Sequence, residues 1–289
     1  MATSTRTILI TGSNGFTGKH LTALLAKDGA TELYFADKKE PETSDSRFRL
    51  CDFSDSGAVQ RLIAGVRPDK VYHLVGTFTN VYETDYTANV LSTKYLLDAI
   101  LSVSLPCRVL LIGSSAEYGV PQNADTPVSE THPLVPVSIY GLTKVFQHTL
   151  METYVAMYHM DIVMARTFNL LGKGISPVLL TGNIASQVEE YTRGERRKIE
   201  TADLAGARDY IAVERAVEYY RAIMEKGKTG EVYNVGSGTS TPLRAVVSEV
   251  LAEKGLSMDI VTETASPVPG KIVVQRIVAD IKKTDALIG

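Results

Sequence analysis

Tyr140-Gly141-Leu142-Thr143-Lys144 sets a phenol and an ammonium at i and i+4, one turn apart on one face of a helix. An unperturbed tyrosine titrates near about 10, too high to exchange protons at neutral pH. A cation beside it favours the phenolate, and the two side chains become a working acid and base. Ser114 follows the apolar run Cys107-Arg108-Val109-Leu110-Leu111-Ile112 and can hydrogen-bond the same substrate oxygen. Tyr-x-x-x-Lys also arises by chance on amphipathic helices, so it needs a second motif to carry weight.

That motif lies upstream, in Thr7-Ile8-Leu9-Ile10-Thr11-Gly12-Ser13-Asn14-Gly15-Phe16-Thr17-Gly18. A β-rich apolar run leads into three glycines spaced G-x-x-G-x-x-G, and Lys19 to Lys27 reads as a helix. A side chain at Gly12 or Gly15 would hold the backbone away from a diphosphate, and Gly18 lets the helix approach the strand. The helix N-terminus adds unpaired N–H groups and the positive end of its dipole. Leu33-Tyr34-Phe35-Ala36 reads as a second strand ending at Asp37, whose carboxylate suits an adenosine ribose. Strand, glycines, helix, strand and acid together predict a dinucleotide site.

The elements that must position these groups alternate. Phe48 to Cys51 reads as a strand ending in Asp52-Phe53, a carboxylate and an aromatic where an adenine would lie. A helix follows over Ser54 to Val66, then a strand over Lys70 to Gly76. Asn89 opens a long helix to Ile100. The strand at Cys107 to Ile112 precedes Gly113-Ser114-Ser115-Ala116-Glu117-Tyr118-Gly119. The helix of Tyr140, Lys144 and His148 runs to about His159, and a sixth strand ends in Arg166-Thr167-Phe168-Asn169. Such alternation predicts an α/β fold with a doubly wound parallel Rossmann sheet. Residues 1–169 are expected to form the NAD(P)-binding domain. Residues 170–289 are expected to form a smaller mixed α/β substrate lobe interleaved with it, including a helix at Glu214 to Glu225 and a strand at Glu231 to Val235.

Composition narrows the classes. The 289 residues carry a formal net charge of −3, which gives no reason to expect nucleic acid as a partner. The basic cluster Arg193 to Lys198 is interrupted by acid and reads as a solvated helix end. No apolar run spans a bilayer and the N-terminus has no signal-peptide pattern, so a cytoplasmic chain without membrane contact is expected. Cys51 and Cys107 are the only cysteines and are expected to be reduced core residues. The five histidines show no ligand spacing, so no metal is expected.

Taken together, the Gly12–Gly18 loop, Asp52, His73-Leu74-Val75-Gly76, Asn89, Ser114-Ser115, Tyr140-x-x-x-Lys144, Arg166-Thr167-Phe168-Asn169 and Arg208-Asp209-Tyr210-Ile211 resemble the extended short-chain dehydrogenase/reductases. More narrowly they resemble the nucleotide-sugar epimerase/dehydratase branch, over nearly the whole chain. The resemblance implies NAD or NADP at Gly12, Asn14, Gly15, Phe16, Gly18, Asp37, Lys38, Asp52, Phe53, Leu74, Gly76, Asn89, Tyr140, Lys144 and Phe168. It implies Tyr140 as acid/base, Lys144 holding the nicotinamide ribose and lowering the pKa of Tyr140, and Ser114 positioning the sugar oxygen. It implies Ser115, Asn169, Asn183 and Arg208 on a nucleotide-diphosphate sugar, and a homodimer through the helices after Asn89 and around Tyr140.

Dehydratases of this family carry a Glu two residues before the loop tyrosine. Here that position is Ala116, and Glu117 one place on points to the other side in extended chain. The loop is similar to that of the GDP-4-keto-6-deoxymannose reductases, which implies hydride delivery to a C4 carbonyl. Asp37 pulls the other way, since a carboxylate repels the 2′-phosphate of NADP and suits an epimerase with bound NAD; Lys38 and Lys39 could offset that repulsion but read more readily as loop charges. Two further departures stand out. Pro267 to Ile272 replaces the Arg-Pro pair of family members, and the chain stops at Gly289 with no Trp at all. A non-catalytic NADP-sensing module is the remaining class, and it has no need of Tyr140 and Lys144 together.

Overall fold

The computed structural model describes residues 6–27, 29, 31–264, 272 and 274–288. In chain order the main elements are β1 (Arg6–Thr11), α1 (Phe16–Leu25), β2 (Thr31–Asp37), β3 (Phe48–Leu50), α2 (Ser56–Val66), β4 (Lys70–His73), α3 (Tyr82–Tyr86), α4 (Ser92–Ser102), β5 (Arg108–Ser114), α5 (Ile139–Tyr158) and β6 (Ile162–Thr167). There follow β7 (Asn169–Leu171), α6 (Leu180–Thr192), β8 (Ile199–Thr201), β9 (Ala207–Arg208), β10 (Tyr210–Ala212), α7 (Val213–Lys226), β11 (Val232–Val235), β12 (Thr241–Pro242), α8 (Leu243–Ala252), β13 (Val261–Glu263), β14 (Arg276–Ile277) and α9 (Lys282–Asp285). Seven strands form one sheet in the order β11-β6-β5-β4-β1-β2-β3, all parallel.

The sheet is buried on both faces, as a parallel sheet must be, and each strand divides its side chains by parity. Leu9, Val71, Val109, Leu111, Ile162 and Met164 face a core closed by α2, α4 and α5. Ile8, Ile10, Tyr72, Leu110, Val163 and Ala165 face the other, closed by α1 and α7. α7 and β11, grouped with the substrate lobe in the sequence reading, lie on this main sheet, so the chain leaves it after β6 and returns. The lobe has its own small core of Ile184, Val188, Ile199, Leu204, Val247 and Leu251, and short strand pairs such as β10 on β7.

The helix expected to open at Asn89 opens earlier. α3 begins at Tyr82, and a π turn over Thr87–Leu91 joins it to α4. The Ser92 N–H reaches back to the Thr87 carbonyl, an i→i+5 bond that inserts one extra residue in the turn. The polar residues before Asn89 hid this helix from a search for apolar periodicity. Strand β4 is also shorter than expected, ending at His73, and residues 74–81 form a loop at the carboxyl edge of the sheet.

His73 sits at that edge with no solvent exposure. Its Nδ1 bonds Thr11 Oγ1 at 2.8 Å, its Nε2 lies 3.4 Å from Ser92 Oγ, and its ring faces Phe53 at 5.9 Å. Burial, helped by the Lys144 charge, pushes the imidazole down to about 3. The unfolded chain therefore takes up a proton below about pH 6.5 that the native state refuses, and stability falls as pH drops from there toward 3. At about 1.4 kcal/mol per unit the full span is worth several kcal/mol. Urea midpoints measured from pH 7 to 4 should fall, and His73→Asn should flatten the decline; parallel curves for the two proteins would discount the histidine.

Candidate active site

The glycine loop forms a cradle that side chains cannot enter. Gly12 has φ +67, and a Cβ there would lie 3.0 Å from backbone atoms of Leu74 and Val75. At Gly18 a Cβ would stand 2.5 Å from the Gly12 carbonyl oxygen and 2.6 Å from that of Ser13. Gly15 caps α1 with extended backbone and no side chain caps the helix, so its first N–H groups face the loop as an anion site. Asp37 accepts the Asn14 N–H at 3.0 Å and the Lys39 N–H at 3.3 Å, while Asn14 Nδ2 donates to the Lys39 carbonyl at 2.5 Å. The carboxylate thus ties β2 to the glycine loop at the position expected for a ribose. These features fit a dinucleotide diphosphate.

Across the sheet, β5 and β6 run in register to Ser114 opposite Thr167, and α5 brings Tyr140 and Lys144 over the end of β5. The Ser114 hydroxyl is placed to hydrogen-bond the Tyr140 phenol. Lys144 is buried; its Nζ donates to the Ile112 carbonyl at 2.9 Å and to Gln147 Oε1 at 3.1 Å, and lies 5.9 Å from the Tyr140 ring centre. The phenol is not lowered as the resemblance implied. Burial pushes it up to about 12, against the Ser114 hydrogen bond, with Glu117 and Asp85 adding to the rise. Lys144 is pushed down to about 8, also by burial, with the same two carboxylates opposing. Desolvation is the largest cause at both groups, and Lys144 turns two of its donors to Ile112 and Gln147.

The placement of Tyr140 depends on residues that sequence reading passed over. The Tyr140 N–H donates to Asn80 Oδ1 at 3.2 Å, and the Phe78 ring meets the phenol ring edge-on at 4.9 Å. Fully buried Asp85 holds that loop by accepting the N–H groups of Thr79 and Asn80 at 2.9 and 2.8 Å. Only a long-range contact reveals these roles, so no local signal in the sequence marks them. Gly141 is a second such residue: a Cβ there would sit 2.5 Å from the Ala116 carbonyl oxygen. Gly141→Ala should push the start of α5 off the β5 turn and cost about 10- to 100-fold in kcat. Alanine is the better helix former by about 1 kcal/mol, so full activity with a raised Tm would show that α5 adapts.

The remaining expected residues are placed as follows. Asn89 is buried in the π turn and bonds Thr77 N–H at 2.9 Å, the Thr77 carbonyl at 3.1 Å and Thr143 at 3.0 Å. It holds the 74–77 loop, and a Cβ at Gly76 would be 2.9 Å from its Oδ1. Leu74 and Phe16 are half-buried, while Lys38 and Asp52 are exposed. Ser54 holds the Asp52 carboxylate and keeps its pKa low. Phe53 differs from expectation: its ring is in the core with Val59 and Ile63 and offers no surface to an adenine. Phe168 is likewise buried, among Tyr118, Val128 and Ile277. Ser115 is half-buried at the start of a short 3-10 turn.

In the lobe, Asn169 Nδ2 donates to the Asp209 carbonyl at 3.0 Å, and exposed Asn183 accepts from Gln187 at 2.7 Å. Arg208 donates to the carbonyls of Ala207 at 2.8 Å and Gln275 at 3.2 Å, and burial lowers its pKa. Among the described residues no carboxylate is paired with it, which suits a guanidinium meant for phosphate. Pro267 and Gly289 lie outside the described residues. Among the described residues no group of His, Cys, Asp and Glu side chains is arranged to hold a metal ion, and no helix is long and apolar enough to cross a membrane.

Glu117 has no solvent exposure, and both its oxygens are committed. Oε1 accepts the Ser114 N–H at 2.6 Å and Oε2 pairs with Arg166 at 2.8 Å.

The profile of the NAD dependent epimerase/dehydratase family matches residues 8–236. The chain belongs to that family. It is an NAD(P)-dependent enzyme of the extended short-chain dehydrogenase/reductase type, and its relatives work on nucleotide sugars. It is 27% identical over 264 residues to the dTDP-6-deoxy-L-talose 4-dehydrogenase of Kitasatospora kifunensis, covering 90% of this chain and 82% of that one. It is 28% identical over 269 residues to the GDP-6-deoxy-D-mannose reductase of Pseudomonas aeruginosa, covering 90% and 84%. In fold it matches the dTDP-glucose 4,6-dehydratase DesIV of Streptomyces venezuelae, solved with NAD bound, at a TM-score of 0.84 and 23% identity over 96% of this chain and 89% of that one.

Proposed function

We propose that the protein reduces the C4 carbonyl of a nucleotide-linked 4-keto-6-deoxyhexose, with a GDP sugar as the favoured substrate. The observation that carries this reading is the meeting of Ser114, Tyr140 and Lys144 at the end of β5, with Glu117 locked onto Arg166. An acid is present for a carbonyl oxygen, whereas Ala116 stands where family dehydratases carry their Glu and the neighbouring Glu117 is held by its partners. Gly12, Gly15, Gly18 and the start of α1 would hold the cofactor diphosphate, with Asp37 at its ribose. A reduced nicotinamide held there would supply the hydride.

Ser114 and Tyr140 bind the sugar oxygen, and Tyr140 gives it a proton as the carbonyl becomes an alcohol. With its pKa raised, the phenol is fully protonated at neutral pH, the form a reductase needs. Lys144, charged below about pH 8, stabilises the phenolate left behind. Arg208 pairs with the substrate diphosphate, and Asn169, Asn183 and Ser115 hold the sugar nucleotide. The same reading takes the chain as a homodimer through α4 and α5, whose surfaces expose Leu101, Met157 and Tyr158.

The test is loss of reduced nicotinamide absorbance with GDP-4-keto-6-deoxymannose, using NADPH and NADH in separate runs. Loss of reduced cofactor stoichiometric with a new 6-deoxyhexose supports the reductase. Asp37 favours a second reading, a nucleotide-sugar 4-epimerase with retained NAD, because its carboxylate faces the ribose position and repels a 2′-phosphate. No net cofactor loss, with NAD copurifying and a UDP or GDP hexose epimerised, would select that reading.

A further inference from the structure

Glu117 and Arg166 take no part in the proton transfer derived above, yet both side chains are fully buried. A buried ion pair is a weak source of stability, because desolvating two charges offsets most of their attraction. An apolar pair of similar volume often serves the fold as well. The bonds around this pair point to a different use. Glu117 Oε1 takes the Ser114 N–H at 2.6 Å, and Oε2 takes Arg166 Nε at 2.8 Å. Arg166 also donates to Tyr118 Oη at 3.0 Å, and Tyr118 in turn donates to Asn234 on β11 at 2.7 Å. Its other terminal nitrogen meets His148 Nδ1 on α5 at 3.3 Å, one turn beyond Lys144. Even Gly113 belongs to the arrangement, since a Cβ there would lie 2.5 Å from Glu117 Oε1.

One buried pair therefore touches the end of β5, the helix of Tyr140 and Lys144, and the returning strand β11. We infer that Glu117 and Arg166 are positioning residues that hold Ser114 in register with the Tyr140 phenol. Ser114 Oγ accepts the Ala116 N–H at 3.2 Å within the turn that Glu117 closes. A hydroxyl has one proton to donate and two lone pairs; the Ala116 N–H takes one lone pair and fixes the Oγ position, with the phenol within reach of the proton. Loosening the turn frees the hydroxyl to point elsewhere.

This inference rests on the assignment of Ser114 and Tyr140 to the chemistry, but one of its tests needs no substrate. A short amide bond to a buried carboxylate moves the Ser114 amide proton downfield in the 15N-correlated spectrum of the full chain. In the apolar pair Glu117→Leu with Arg166→Met that resonance should return to the ordinary range. With substrate, the same pair should lower kcat by about 10- to 100-fold, with KM and Tm near those of the parent. In a Ser114→Ala background it should cost less than about 3-fold more, since coupled residues are not additive. Arg166→Lys, which keeps the charge but loses the fork, serves if the apolar pair fails to fold, and should move the resonance and kcat in the same direction. A Ser114 amide proton already at an ordinary shift in the parent overturns the inference, as do kcat losses that multiply in the Ser114→Ala background. A parent without turnover on any nucleotide sugar would count against the reductase and leave the amide measurement to decide.

Discussion

Tyr140→Phe is expected to lower turnover of the 4-keto sugar by about 10²- to 10⁴-fold, the range of a lost general acid, while reduced nicotinamide binds as before. The substitution removes one oxygen. The ring keeps its edge-on contact with Phe78, the backbone keeps its bond to Asn80, and the glycine cradle lies on other strands. Ser114 loses the acceptor for its proton, and no other acid described at the end of β5 replaces the phenol. Steady-state kcat and a fluorescence titration of NADH separate the two effects. Near-parental turnover would remove Tyr140 from the chemistry. The parent enzyme should also lose reducing activity above about pH 8, because Lys144 gives up its charge there as the pH rises.

Gly18→Ala should weaken cofactor binding more than 100-fold, on the order of 3 kcal/mol by the arithmetic of affinity. Its Cβ would stand 2.5, 2.6 and 2.7 Å from the Gly12 oxygen, the Ser13 oxygen and Ser13 Cα. All three are backbone atoms, so α1 has to move away from the turn, and the N–H groups at its start move with it. The loss arises in spite of helix propensity, which favours alanine by about 1 kcal/mol. Gly29→Ala is the matched comparison, since a Cβ there meets nothing within 4 Å. An NADH dissociation constant within a few-fold of the parent in Gly18→Ala would show that the close approach of helix and strand is dispensable.

Much of the scaffold was readable from local pattern. The apolar runs of β1, β4, β5 and β6 are dense enough to be buried on both faces, and the glycine spacing belongs to a turn that only one backbone path satisfies. The pairing of Tyr140 with Lys144 follows from helix geometry alone. What stayed hidden depends on contacts between distant segments. Phe53 looks like a surface aromatic at a strand end until α2 and α4 close over it. The Tyr140 phenol was expected to be lowered by its neighbour, but how deeply it is buried, and that Ile112 and Gln147 already hold the lysine, is decided by tertiary packing. Asn80 and Phe78 act through a loop with no periodicity to read. Glu117 was set apart from the dehydratase position by counting along an extended chain, whereas the segment is wound into a 3-10 turn, and its partner Arg166 was visible only as part of a motif.

The π turn at Thr87–Leu91 makes the first helix of this region and its continuation two phases of one rod. Removing a single residue, Ala88 for instance, would restore ordinary winding and leave helical content almost intact, yet it would turn everything upstream by about 100° relative to α4. Asp85 would swing away from Thr79 and Asn80 while Asn89 stayed with α4, and the segment beside Tyr140 would lose one of its two anchors. An insertion or deletion in this helix therefore acts as a change of angle, not of length, and circular dichroism would miss what amide exchange in residues 77–80 reports.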